Sequence, residues 1–196
     1  MTKEDFEINW NSTFPNTLPI SHTFKIKYVN RWFRIHSLPK SKRYAENEKE
    51  WIILLKRQNQ IITDLFVENT EILIVTGEYN WGEREDFVND EEEIFKPYNF
   101  IRLDKIDLFE LNSDEYDENE IFKPAFAEIK WESNKYDNLL RGIADEKVIA
   151  FFVSFDKKVI VAPYDGGIDF IIKDNKLKEF YKEKYKDWLS EREDGL

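Results

Sequence analysis

RWFRIHSLPKSKRYAENEKEWIILLKRQNQIITDLF, residues 31 to 66, holds a strand pattern, a basic loop and a long helix pattern in one run, and its reading decides the fold class. From Trp32 to Ser37, Phe33 and Ile35 alternate with Trp32, Arg34 and His36, the period of two that marks a half-buried strand. From Asn47 onward the period changes. Trp51, Leu54, Leu55, Gln58, Ile61, Ile62, Leu65 and Phe66 recur at spacings of three and four, which gives an amphipathic helix one apolar face. Asn47 followed three residues later by Glu50 is a capping-box-like start, and Glu46 and Glu48 place negative charge near the positive end of the helix dipole. Gln58 interrupts the stripe, where it is expected to hydrogen-bond a strand end.

The segments on either side extend the pattern. Phe6 and Trp10 lie four apart in a short helix over Lys3 to Asn11, which FPNTLP ends with two prolines. Thr23 to Tyr28 alternates with Phe24, Ile26 and Tyr28 on one side, predicting a strand that pairs through Val29-Asn30-Arg31 with Trp32 to Ser37 as a hairpin. EILIVTG, from Glu71 to Gly77, reads as a central strand, and a helix crossover makes it a candidate parallel neighbour of the Trp32 strand. Further strands are expected over Phe100 to Leu111 with a break near Asp104 and Lys105, and over Ala125 to Trp131, Val148 to Phe155, Val159 to Ala162 and Ile168 to Ile172. Asn134 with Asp137 is expected to cap a helix carrying Tyr136, Leu139, Leu140 and Ile143. Asp174 should cap another, with Leu177, Phe180, Tyr181, Tyr185 and Trp188 inward. The fold class that follows is α+β (or α/β): a single domain over residues 1 to 196 with a mixed, mostly antiparallel sheet of about six to eight strands packed against three main helices.

Composition narrows the function classes. The chain is rich in rings, with 16% aromatic residues, so a packed core rather than disorder is expected. The absence of cysteine excludes disulfides and thiolate chemistry and suits a reducing compartment, and the first residues lack a signal-peptide pattern, so a cytoplasmic location is expected. No apolar run has membrane-spanning length. The net charge of -11 is unevenly placed. Residues 80 to 120 contain fifteen acidic and four basic side chains, which accounts for the whole excess. Between Ile8 and Ala45 there is no Asp or Glu, and Lys25, Lys27, Arg31, Arg34, Lys40, Lys42 and Arg43 all fall there. An acidic excursion rich in loops, with Trp81 exposed, is expected at 80 to 120. Its bland reading is a solvated charge run; its functional one is a face for a basic protein partner. Nucleic acid is disfavoured by the charge.

Catalytic signatures are missing. No GxSxG, GxGxxG, P-loop or HExxH pattern occurs, and Ser37 directly after His36 on a strand points to the opposite face, so the two cannot act as nucleophile and base. NSDEYDENE lacks the glycine and ligand order of a calcium loop, and nothing implies a metal or cofactor. Two constellations remain. Arg34, His36, Lys42 and Arg43 are anion-binding candidates, with the alternative that they pair with Asp165, Asp169 or the acidic stretch. Tyr164, Asp165, Gly166, Gly167 and Asp169 form a turn or pocket candidate, read most simply as a hairpin turn with positive φ at glycine. These support two function classes. One is a non-catalytic interaction protein, immunity-like or regulatory, using the acidic surface. The other is a small-molecule or anion-binding protein or enzyme using Arg34, His36, Arg43 and Asp165.

RIHSLPKSKRYAEN before the long helix, KYDNLLRGIA in the middle helix, and PYDGGIDFII with YKDWLS near the end carry a resemblance. The chain resembles a family of uncharacterised bacterial cytosolic proteins, a domain of unknown function. The resemblance spans most of the chain and implies a bacterial, intracellular, single-domain α/β protein. It transfers no catalytic residue, and it implies that the acidic stretch is variable and peripheral to any shared role.

Overall fold

The structure is a computed structural model that describes residues 1–81 and 92–190, with the backbone alone at 80, 81 and 92. In chain order its first elements are α1 (Lys3–Thr13), α2 (Phe24–Lys27), β1 (Trp32–His36), α3 (Glu48–Phe66), β2 (Glu71–Trp81) and α4 (Glu92–Phe95). Then come β3 (Ile101–Arg102), β4 (Ile106–Asp107), α5 (Leu108–Leu111), β5 (Glu120–Lys130) and α6 (Asp137–Ala144). β6 (Ala150–Ser154), β7 (Val159–Pro163), β8 (Gly167–Ile172) and α7 (Asn175–Lys184) complete the set, with 3-10 turns at Ser21–Thr23, Pro39–Ser41 and Lys186–Trp188.

The eight strands among the described residues join one sheet in the order β1-β8-β7-β6-β2-β5-β3, with β4 pairing β5 beside β3. Every described pairing is antiparallel. The class is therefore α+β, as the strand and helix patterns predict. The expected parallel pairing is not present: β2 lies between β5 and β6, and β1 sits at the far edge against β8.

The strand expected over Thr23 to Tyr28 is a helix. Phe24 and Tyr28 are buried and Ile26 is 68% exposed. Residues four apart share one helix face, so the same two rings satisfy either period, and only Ile26 between them separates the readings. No hairpin forms, and β1 finds its partner more than a hundred residues later. The expected Phe100 to Leu111 strand divides at Asp104 and Lys105, as anticipated, into β3 and β4, and then turns into α5.

Both faces of the sheet are covered. On one, the α3 stripe with Leu54, Ile61, Ile62 and Phe66 packs with Leu139 and Leu140 of α6 and Tyr181 of α7 over Ile72, Ile74, Phe152, Val161 and Phe170. On the other, Phe6 and Trp10 of α1 and Phe24 of α2 cover Leu73, Val75, Phe126, Phe151 and Ile171, with Phe6 stacked on Phe126 at 4.6 Å. Asn47 caps α3 by accepting the Glu50 N–H at 3.1 Å. Gln58 Nε2 donates to Ser37 Oγ just past β1, at 3.0 Å. Asp174 caps α7 as expected, but Phe180 is 58% exposed rather than inward. Helix α6 has no side-chain cap: Tyr136 is its N-cap, and the Asn134 N–H instead bonds Asn59 Oδ1 at 2.7 Å. Among the described residues no helix is long and apolar enough to cross a membrane. Residues 82 to 91 of the expected acidic excursion and the charged end from 191 lie outside the described residues, as does the Trp81 side chain.

Candidate functional site

The β1–β8 ladder carries four of the nine predicted residues, Arg34, His36, Gly167 and Asp169. Arg34 lies opposite Asp169 and His36 opposite Gly167, so strand alternation puts Arg34, His36 and Asp169 on one face. Arg34 holds Asp169 with a bidentate pair, Nε to Oδ1 at 2.6 Å and Nη2 to Oδ2 at 2.9 Å. Its guanidinium also lies 4.5 Å from the centre of the Tyr164 ring. Burial disfavours the Arg34 charge, but the Asp169 carboxylate outweighs that and raises its pKa above the ordinary value. Burial pushes the Tyr164 hydroxyl pKa up as well.

The second arginine reaches the cluster from the other side. After Leu38, the backbone turns through Lys40 and Ser41, both at positive φ, and this directs Lys42 and Arg43 apart. Arg43 Nε donates to Asp165, whose side chain is 6% exposed, and Arg43 Nη2 reaches Glu146 Oε1 at 3.3 Å. Tyr44 donates to the other Glu146 oxygen at 3.1 Å. Lys42 does not join them; its ammonium bonds Glu50 at 2.7 Å and Glu46 at 2.9 Å at the start of α3.

Neither glycine of the turn takes the expected positive φ. Gly167 serves a different need: a Cβ there would run into the Ile35 carbonyl, so its missing side chain lets β1 approach β8. The Asp165 carboxylate also accepts the Gly166 N–H at 2.9 Å, which fixes the turn.

His36 is buried, and its Nε2 has no hydrogen-bond partner. Burial lowers its pKa, the Gly166 carbonyl acts against this, and the Arg34 and Arg57 charges add to it. Its own backbone carbonyl accepts from Arg57 Nη1 at 3.0 Å, and Arg57 stacks over Trp188 at 4.8 Å. Chemically, then, the cluster is a neutralised one. Arg34 and Arg43 each engage a carboxylate of the same chain, which leaves no doubly cationic centre facing solvent.

A second location gathers the acidic stretch. Asp104, Asp107, Glu110, Asp114, Glu115, Asp117 and Glu118 are all exposed, with Phe109 and Leu111 exposed among them. Beneath them the segment is pinned. Ile106, Leu108 and Tyr116 pack with Leu18, Ile20, Tyr79 and Phe122, and β4 pairs with β5 at Ile106–Phe122. His22 bridges Tyr116 and Tyr79, with Nε2 2.8 Å from one hydroxyl and Nδ1 3.0 Å from the other. Nothing in the local pattern of the sequence signals this tyrosine–histidine–tyrosine link. Asp104 pairs with Lys3 at 2.6 Å.

A third feature is an open groove of about 460 Å³ lined by Ile52, Lys56, Asn59, Asp137 and Arg141 between α3 and α6. Its buried Asn59 is saturated, donating to the Leu55 carbonyl at 2.9 Å and Asp137 at 2.7 Å and accepting from Asn134. Among the described residues no group of three or more His, Asp or Glu is arranged to hold a metal ion.

A family model described as "Domain of unknown function (DUF3885)" matches residues 20–193. The match takes in every strand and every helix except α1. No curated protein and no solved structure matches the chain.

Proposed function

The chain belongs to the DUF3885 family, and we propose that it is a non-catalytic binding protein, immunity-like or regulatory in kind, that presents residues 104 to 118 to a basic protein partner. One observation carries the reading. Seven carboxylates and two exposed apolar side chains stand on a segment held from below by Ile106, Leu108 and Tyr116, so the acidic surface has a fixed shape. Fixed charge steers encounter and selects the partner, and exposed apolar side chains at its centre supply contact area once the surfaces meet. The reading based on Arg34, His36, Arg43 and Asp165 as an anion or substrate site has less support, because the two arginines are already matched by Asp169 and Asp165.

The test is a quantitative pull-down from the native host with the wild-type chain and with a triple variant, Asp114→Lys, Asp117→Lys and Glu118→Lys. These side chains are exposed, so the variant keeps the fold. The expected result is loss of a basic partner that binds the wild type and is released by salt. An unchanged set of partners overturns the proposal.

A further inference from the structure

The acidic face has a basic neighbour. Helix α2 and the turn after it, Lys25-Ile26-Lys27-Tyr28-Val29, carry two lysines without an ion pair among the described residues, and Ile26 and Val29 are 68% and 67% exposed. His22, which directly precedes α2, forms the border: its imidazole touches Tyr116 of the acidic segment, and both Lys25 and Glu115 act electrostatically on it. Leu18 and Ile20, just before this border, pack against Leu108 and Tyr116. His22, Leu18 and Ile20 therefore join a basic element to the acidic segment, each with exposed apolar side chains: Ile26 and Val29 on one, Phe109 and Leu111 on the other.

Such a surface is complementary to itself. A two-fold axis near His22 sets the α2 half of one copy on the 104–118 half of the other, and the same contact repeats by symmetry. The net charge of -11 opposes association at long range, but that repulsion is spread over the whole surface and screened within about 8 Å at physiological salt. The opposed halves meet at contact distance, where screening is weakest.

We propose that this face binds a second copy of the chain, α2 of each copy against the acidic segment of its partner. The inference rests on the acidic segment being a binding face, as proposed above, and adds the identity of one occupant. Dimerisation and engagement of a basic host protein would then compete for the same carboxylates.

Sedimentation equilibrium of the full chain across a concentration series tests it, with two charge-reversed variants. The first is Lys25→Glu with Lys27→Glu; the second is the Asp114→Lys, Asp117→Lys and Glu118→Lys triple. Each variant alone should dimerise about tenfold more weakly or worse than wild type, because the first sets acidic side chains against the acidic segment and the second cancels the net charge of that segment and places three lysines against those of α2. Mixing the two should restore a dimer, since the three new lysines then meet the glutamates at 25 and 27, and the native lysines of the other copy meet an unaltered acidic segment. Circular dichroism melts confirm that both variants remain folded. A wild type that stays monomeric, reversals that leave dimerisation unchanged, or a mixture that fails to recover overturns the inference. The readings separate cleanly. If the wild type is monomeric and the triple variant still loses a basic host partner, only the self-association falls. If neither the dimer nor the host partner responds to the triple variant, both fall.

Discussion

Arg34 and Asp169 meet across the β1–β8 ladder as cross-strand partners, 135 residues apart in sequence, and lock together through two hydrogen bonds with both side chains close to nine-tenths buried. Removing one member strands the other charge in a site that water scarcely reaches.

Asp169→Ala is accordingly expected to destabilise the fold by about 3 kcal/mol in urea melts. Replacing both members with apolar side chains, Arg34→Met with Asp169→Leu, should recover most of that loss. A single replacement that leaves the melt at wild-type values would show that the pair is solvated in solution.

Gly167→Ala tests the contact between strands. A methyl group at this position has no room beneath the Ile35 carbonyl, so β1 must move away, at a cost of about 1–3 kcal/mol. Unchanged thermal melting would mean that the edge strand yields freely.

Helix α3 offers a matched pair. Ile62→Ala opens space in the core and should cost about 2–5 kcal/mol, whereas Ile52→Ala, at a site 63% exposed, should stay within about 0.5 kcal/mol of wild type. Equal effects in chemical denaturation would contradict the assigned helix face.

His36 makes stability depend on pH. Because burial lowers its pKa below the ordinary 6.5, the unfolded chain binds a proton at higher pH than the folded one. Stability from this group is complete above the unfolded value and is lost as pH falls below it. Urea midpoints should therefore decline between about pH 7 and 5.5, with a shallower slope in His36→Gln. His22, whose pKa is also lowered by burial, contributes in the same sense.

Tyr116→Phe removes one of the two hydroxyls that His22 holds. Amide hydrogen exchange should quicken across residues 106 to 118 while β6 and β7 keep their protection. No change in that segment would place its anchoring in Ile106 and Leu108 alone.

How much of this was legible in the sequence depended on length and distance. The α3 stripe repeats over five turns and needs no tertiary context, so its face, its Asn47 cap and the odd placement of Gln58 could all be read in advance. Thr23 to Tyr28 is too short to separate a period of two from one of 3.6, and burial of Phe24 and Tyr28 against Val75 and Phe151 decided for the helix. Arg34, Gly167 and Asp169 could be singled out in advance, because an arginine, a glycine and an aspartate stand out on otherwise apolar strands. That Arg34 faces Asp169 follows from a register between distant strands, which local pattern does not encode. The His22–Tyr79–Tyr116 link joins three distant segments and left no local trace at all.

The position of β1 beside β8 has a consequence for how the chain acquires its structure. Strand β1 is made well over a hundred residues before β8, its full-length neighbour among the described residues, and the nearby Ile35–Leu189 bridge reaches later still. Until then Phe33 and Ile35 have no ladder to join. Long-range closures of this kind slow folding, so β1 is expected to dock late, onto a sheet already built from β2 and β5 to β7. A nascent chain halted before residue 167 would display that strand to whatever binds exposed edges, a chaperone included.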